Sequence, residues 1–284
     1  MKITNHLNLP QPIVDAVAND PYNSGDSDIS VTRLIAPPRQ VYLNKKHHEE
    51  LVEDCSDRLF SLMGQAMHHI LERGGDLEGH RIIERRLFVL IGGWKLSGQI
   101  DIWEDGTLDD YKFTSVWETM NGLSPEKIAQ LNILKWLCER NGIYVKKLRI
   151  VAMYRDWSKT KSKTERDYPK HQIGVIESPM WSEQETLEYI CDRIDLHKAA
   201  EIELPECTDE EMWARPTKYA VMKEGNIKAK RLLDSHADAL EWAVTKKLTM
   251  KDHYIEERKG EKVRCENYCA AAAFCKQFNP DVSI

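Results

Sequence analysis

The chain has 284 residues, enough for one large domain or one domain with a small appendage. Lysine and arginine total 40 against 46 aspartates and glutamates, a net formal charge of −6, which excludes a uniformly basic DNA-coating surface but leaves room for a local basic groove. Apolar residues at 42% and charged residues at 30% exclude global disorder, and no apolar run approaches the ~20 residues that span a bilayer.

Met1 to Pro21 lacks the positive-then-apolar pattern of a secretory signal, so a cytoplasmic protein is expected. Residues 1–28 read as an extended leader, interrupted by Pro10, Pro12 and Pro21 and closed by a turn at Asn23-Ser24-Gly25-Asp26. Leu51 to Leu71 reads as one helix. Val52, Cys55, Leu59, Leu62, Met63, Ala66 and Ile70 form its apolar stripe, and Gly74-Gly75 ends it. Three strand-like runs follow, Arg81–Ile91, Trp94–Trp103 and Thr107–Val116. Pro125–Glu139 is a predicted helix with Ser124 as its N-cap. Leu148–Tyr154 and Gln172–Ile176 read as strands, joined by a basic loop carrying Lys159, Lys161, Lys163 and Arg166. Trp181–His197 and Ser235–Lys246 read as helices, and residues 203–230 carry no clear pattern. The expected organisation is a leader over 1–28, a core over 29–202 and a C-terminal region over 203–284.

The three central strands carry the most information. Gly92-Gly93 and Asp105-Gly106 suit two-residue hairpin loops, Asp-Gly being a favoured type I′ dipeptide. With both loops two residues long, Ile91 pairs with Trp94, Glu84 lies opposite Asp101, and Asp101 lies opposite Asp110. Opposed residues share a sheet face, so three carboxylates form one row. Lys112 lies two residues along from Asp110 on the same face, in a row with Gln99 and Arg86. Two carboxylates about 4 Å apart repel by roughly 4 kcal/mol at an effective dielectric of about 20. A bound cation, a shared proton or a wider separation must compensate, and a hard divalent cation is the simplest answer. A lysine beside such an ion can orient water or offset charge on a phosphate. The competing reading is a solvated acidic sheet face.

Gly98-Gln99-Ile100-Asp101 followed by Asp110-Tyr111-Lys112 resembles the PD-(D/E)XK nuclease signature. Gly64-Gln65-Ala66-Met67-His68 resembles the G-x-x-x-H motif of the RecB-like branch. Gln130 resembles the glutamine of its Q-x-x-x-Y motif, although Leu134 stands where the tyrosine belongs. The resemblance implies an α/β restriction-endonuclease-like core, a mixed central sheet flanked by helices. It implies His68, Asp101, Asp110 and the backbone carbonyl of Tyr111 as ligands of Mg²⁺ or Mn²⁺. It implies Lys112 as the catalytic lysine, Glu84 as an auxiliary acid and Gln130 as a contact to nucleic acid. The implied reaction is phosphodiester hydrolysis of DNA, on single strands or free ends, in a prokaryotic and possibly phage-encoded protein. A homo-oligomer or a recombination partner protein would suit that role. The alternative is an assembly protein that binds nucleic acid without cutting.

Seven cysteines without secretory context argue against a disulfide framework. Cys265-x3-Cys269-x5-Cys275 resembles the C-terminal triplet of RecB-like nucleases with an iron–sulphur cluster, such as the one used in CRISPR adaptation. That resemblance implies a [4Fe–4S] cluster tying the tail down. The spacing alone also allows structural Zn²⁺. The relatives' fourth cysteine lies in an L-x-x-C-P-R stretch, but here Leu34-Ile35-Ala36-Pro37-Pro38-Arg39 offers Pro37 instead. Cys207 is the favoured fourth ligand, because Cys55, Cys138 and Cys191 fall in helical patterns and read as packing residues.

Overall fold

The computed structural model describes residues 1–20, 25–75, 80–249 and 251–282. Pro21, Asn23 and Ser24 of the expected leader and turn lie outside those residues. The chain divides into two units, Met1–Pro205 and Glu206–Ile284. The first runs β1 (Lys2–Thr4), α1 (Gln11–Ala18), β2 (Ile29–Ser30), α2 (Val31–Ile35), α3 (Pro38–Lys46), β3 (Val52–Asp54), α4 (Leu59–Glu72), β4 (Arg81–Ile91), β5 (Trp94–Glu104) and β6 (Thr107–Thr114). It continues α5 (Trp117–Met120), α6 (Pro125–Arg140), β7 (Lys147–Tyr154), α7 (Lys159–Thr164), β8 (Ile173–Glu177) and α8 (Glu183–Ala199).

The N-terminal residues are not the expected extended leader. Pro10 and Pro12 flank the start of α1, where a missing N–H costs nothing. β1 pairs in parallel with β3, which takes Val52–Asp54 out of the expected long helix. Asp54 marks the switch. Its carboxylate accepts from Thr4 Oγ1 (2.9 Å) and His6 N (2.8 Å) on one side and from Ser56 N (3.1 Å) on the other. A 3₁₀ turn over Cys55–Arg58 then leads into α4. The predicted apolar stripe of α4 does not face the core: Leu59, Met63 and Ile70 are 51%, 41% and 51% exposed. Gly64, Gln65 and His68 turn inward instead, because His68 finds a carboxylate partner on the sheet.

The central sheet is mixed and six-stranded, in the order β2-β5-β6-β7-β8 with β4 on β5. Both predicted hairpins form. Gly92, Gly93, Asp105 and Gly106 all have positive φ, the requirement of type I′ turns. Ile91 faces Trp94, Arg86 faces Gln99 and Glu104 faces Thr107, as two-residue loops demand. β6 and β7 run parallel around the crossover helix α6, and a two-pronged Arg149–Asp109 ion pair, 2.6 Å at each prong, clamps them. The stretch expected as a basic loop holds the six-residue helix α7.

One edge of β5 positions the site. Its end, Ile102–Glu104, pairs with β6, while Leu96 and Ser97 pair in parallel with β2. Between them, residues 98–101 leave the β6 ladder, so the two strands diverge there. α6 closes over this point. Ser124 caps it by accepting from Lys127 N, Pro125 starts it, and it is buried along Leu131–Cys138. A helix apolar on most faces belongs inside. Gly98 permits the approach. A Cβ there would meet Leu134 at 2.6 Å, Leu137 at 2.7 Å and Val31 at 2.9 Å.

The second unit runs β9 (Ala214–Arg215), β10 (Lys218–Lys223), β11 (Arg231–Leu233), α9 (His236–Thr245), β12 (His253–Arg258), β13 (Glu261–Lys262) and α10 (Val263–Asn267). β11-β10-β12 form an antiparallel sheet, on which α9 packs through Ala239 and Ala243 against Val221. Residues 203–230 thus include strand β10, which gains its partners only from sequence further on. Among the described residues no helix is long and apolar enough to cross a membrane.

Gly98→Ala should destabilise the protein by about 1–3 kcal/mol, the usual cost of overpacking; denaturant melts read this, and an unchanged midpoint would show that α6 yields freely. Burial pushes the Cys138 thiol up to about 12. Iodoacetamide on the native protein should therefore spare Cys138 and the equally buried Cys55, both reacting after unfolding, as mass spectrometry can show.

Candidate metal centre

The divergence of β5 from β6 opens a cleft of about 880 Å³. Its lining includes His68 from α4, Glu84 from β4, Gln99 and Asp101 from β5, Lys112 from β6 and Gln130 from α6. These six residues come from five elements, of which α4 and α6 lie far apart in sequence.

His68, Glu84 and Asp101 form the group able to hold a cation. One ligand atom from each lies within 4.8 Å of the others. His68 Nδ1 sits 3.0 Å from Glu84 Oε1 and 3.8 Å from Asp101 Oδ1. Gln99 donates to Glu84 Oε2 at 2.6 Å, and Arg86 donates to Gln99 Oε1 at 2.9 Å. This relay fixes the Glu84 carboxylate from behind. Gln99 and Arg86 shared a predicted row with Lys112; their hydrogen-bond chain to Glu84 depends on side-chain length and needed the structure to show it.

The expected row of three opposed carboxylates forms only in part. The register around Glu84 and Asp101 is as predicted, but the two residues skip their own pairing. Glu84 has φ +47°, a left-handed conformation that costs a non-glycine residue about 1–3 kcal/mol. On the other side, the β5–β6 ladder stops at Ile102–Asp109, one step before Asp101 would face Asp110. Like charges directly opposite destabilise a sheet, and the strands separate at the point where that repulsion would act.

Each acid then finds its own compensation. Asp101 Oδ2 accepts the Tyr111 N–H at 2.7 Å. Burial, and then the nearby Asp110 charge, still push the Asp101 carboxyl up to about 7, against the opposing pull of Lys112 and His68. Asp110 is buried and holds Lys112 Nζ at 2.9 Å from Oδ1 and 2.7 Å from Oδ2. It stands behind the cleft, while the expected ligands His68 and Asp101 and the auxiliary acid Glu84 stand in it. Tyr111 lines the cleft beside them. Burial lowers the Lys112 ammonium pKa, but the charges of Asp110 and Asp101 outweigh it and hold the lysine protonated. The Glu84 hydrogen bond raises the His68 imidazole above its ordinary value. Burial raises Glu84, and its bonds to His68 and Gln99 reverse this to a net lowering.

Four of the seven cysteines, Cys207, Cys265, Cys269 and Cys275, lie in the second unit. Gln277 bridges to Cys207, accepting its N–H and donating to its carbonyl, each at 2.8 Å. Burial raises the Cys265 and Cys269 thiols, and the proximity of Cys275 raises both further. Pro37 lies between α2 and α3, next to the C-terminal end of α2, where Arg193 donates to the carbonyls of Leu34, Ile35 and Ala36. Arg39, next along, donates to the carbonyls of Leu204 and Pro205.

The protein is thus of the α/β class, with a mixed central sheet flanked by helices and a cation-competent cleft at a strand divergence. No family model matches the chain, and no curated protein matches it. Among solved structures it is similar to the one titled "Crystal structure of SSO0001", at 20% identity and a TM-score of 0.45, over 65% of this chain and 84% of that one.

The Asp101 and His68 shifts fix a pH dependence. Folded Asp101 keeps a proton up to about pH 7 that the unfolded chain loses near its ordinary value, and folded His68 keeps one above 6.5. In both cases the folded state binds more protons, so stability falls as pH rises through the window from about 4 to beyond 7. The metal-free midpoint of wild type should fall more steeply there than that of Asp101→Asn. Mn²⁺ should restore more at the alkaline end, where no proton competes for its ligands. Parallel profiles for the two proteins would overturn the assignment to Asp101.

Proposed function

We propose that this chain is a metal-dependent nuclease with a PD-(D/E)XK-type core, hydrolysing phosphodiester bonds of DNA at single strands or free ends. The observation that carries it is the convergence of His68, Glu84, Asp101, Lys112 and Gln130 on one cleft. The sequence resemblance implied all five as site residues, with Glu84 as an auxiliary acid, and they line one cleft from five elements.

The donor set suits the ion. Two carboxylates and one imidazole favour a hard or borderline divalent cation, Mn²⁺ or Mg²⁺. Bound there, the ion would supply Lewis acidity and a more acidic water. The chain supplies the rest. Tyr111 N–H and the Arg86–Gln99 relay hold Asp101 and Glu84 in orientation. Lys112, fixed by Asp110, presents a permanent positive charge to the cleft. A phosphate entering the cleft meets that charge where negative charge builds during attack, which is where a preorganised cation stabilises most. Asp110 acts through Lys112 in this arrangement and need not reach the ion.

The cysteine quartet would hold a [4Fe–4S] cluster in a structural role. Four thiolates are the common complement of such a cluster, with structural Zn²⁺ as the alternative. The purified protein should be brown, with iron and acid-labile sulfide that Cys207→Ala loses and Cys55→Ala keeps. A colourless protein containing zinc would rule the cluster out.

For the main activity, end-labelled single- and double-stranded DNA should be degraded with Mn²⁺ or Mg²⁺ and spared with EDTA. Lys112→Ala and Asp101→Asn should each reduce the rate by about 10²-fold or more. An intact wild type that cuts neither substrate with either ion would leave a nucleic-acid-binding protein that does not cut.

A further inference from the structure

We propose that the rim of the cleft is a stacking track for single-stranded DNA, formed by Phe60, Arg155 and Trp117 and continued by the cationic helix α7. The nature of the ligand rests on the nuclease reading; the track itself stands on the following geometry.

Phe60 directly precedes Ser61, which lines the cleft, and it is 52% exposed. The Arg155 guanidinium lies 4.2 Å from its ring centroid. Trp117 is 65% exposed and follows four residues after Phe113, another residue of the cleft wall. Both rings are tied to the same place, the end of β7. Arg155 N–H donates to the Thr114 carbonyl at 2.9 Å, joining that end to the end of β6. The next residue, Asp156, accepts from Ser115 Oγ at 2.7 Å and from Val116 N at 2.8 Å, fixing the backbone that presents Trp117. The backbone that leads into Trp117 is therefore fixed, and Arg155 holds Phe60 from the same end of β7. Immediately beyond, Lys159, Lys161, Lys163 and Arg166 are all exposed.

Large exposed aromatics at a cleft entrance require a reason, because each leaves apolar surface in water. Base faces supply one. Every unpaired base presents a π-face, so stacking tolerates any sequence. In a duplex those faces are already occupied. The charge agrees: the chain carries a net −6 overall, so a strand would be attracted only where cations gather, and α7, which begins four residues after Arg155, gathers them.

The test measures binding in EDTA, which separates it from cleavage. Fluorescein-labelled oligothymidylate, an abasic strand of equal length and a duplex are titrated into wild type, Trp117→Ala, Phe60→Ala and Trp117→Phe. Trp117→Ala and Phe60→Ala should weaken oligothymidylate about five-fold or more and leave the abasic strand unchanged, with Trp117→Phe recovering most of the loss. Replacing Lys159, Lys161 and Lys163 by alanine should weaken both strands and flatten the salt slope by about 2. A 5-iodouracil strand irradiated with unaltered wild type should crosslink to Phe60 or Trp117, whatever the folding of the variants. Unchanged affinities with no crosslink at either ring, or a duplex bound as tightly as the single strand, would overturn the track. Cleavage without ring-dependent binding would remove the track and keep the nuclease; ring-dependent binding without cleavage would do the reverse.

Discussion

The repulsion between three carboxylates on neighbouring strands is the constraint on which the centre of this molecule depends. Glu84, Asp101 and Asp110 fall in register from two tight hairpins. A regular sheet would set them side by side, at a cost of roughly 4 kcal/mol for a close pair. The fold avoids this by three local departures: a left-handed Glu84, a ladder that ends before Asp110, and a lysine placed on the buried acid. Each would be a defect in an ordinary sheet. Together they open the cleft and leave Asp101 with a carboxyl that protonates near neutrality, a group poised for a cation.

The same divergence organises the packing. β5 serves β6 at one end and β2 at the other, and the gap between these partners is filled from outside by α6. That contact is close because residue 98 has no side chain. Core and site are thus coupled. Leu134 packs on Gly98 and also lines the cleft, so a change in the core would be felt in the cleft that holds Asp101. Backbone strain at Glu84 persists because the long β4–β5 ladder on either side holds the register.

In the second unit, Gln277 holds Cys207 by a pair of backbone hydrogen bonds. The side chain of a residue two positions after Cys275 thus brings a distant cysteine to the tail. Spacing arithmetic could find the triplet, since three thiols within eleven residues are visible in one dimension. The pairing of position 207 with position 277 is a property of the folded chain alone.

The sequence determined the hairpins, the register and the identities in the cleft. Asp105-Gly106 and Gly92-Gly93 dictate two-residue turns, and turn length dictates which residues lie opposite one another, so Glu84, Asp101, Asp110 and Lys112 were legible by counting. It also marked α6, whose cap and near-continuous apolar run are local signals. Three matters were decided only by tertiary structure. The Leu51–Leu71 stripe gave a good helix period, yet β1 captured its first residues through a ladder between positions fifty apart. The inward face of α4 was chosen by the His68–Glu84 hydrogen bond and not by the stripe. The strands parted at Asp101 because like charges brought together by folding repel. Pattern fixes what an element can be; its neighbours fix where it ends and which face it turns inward.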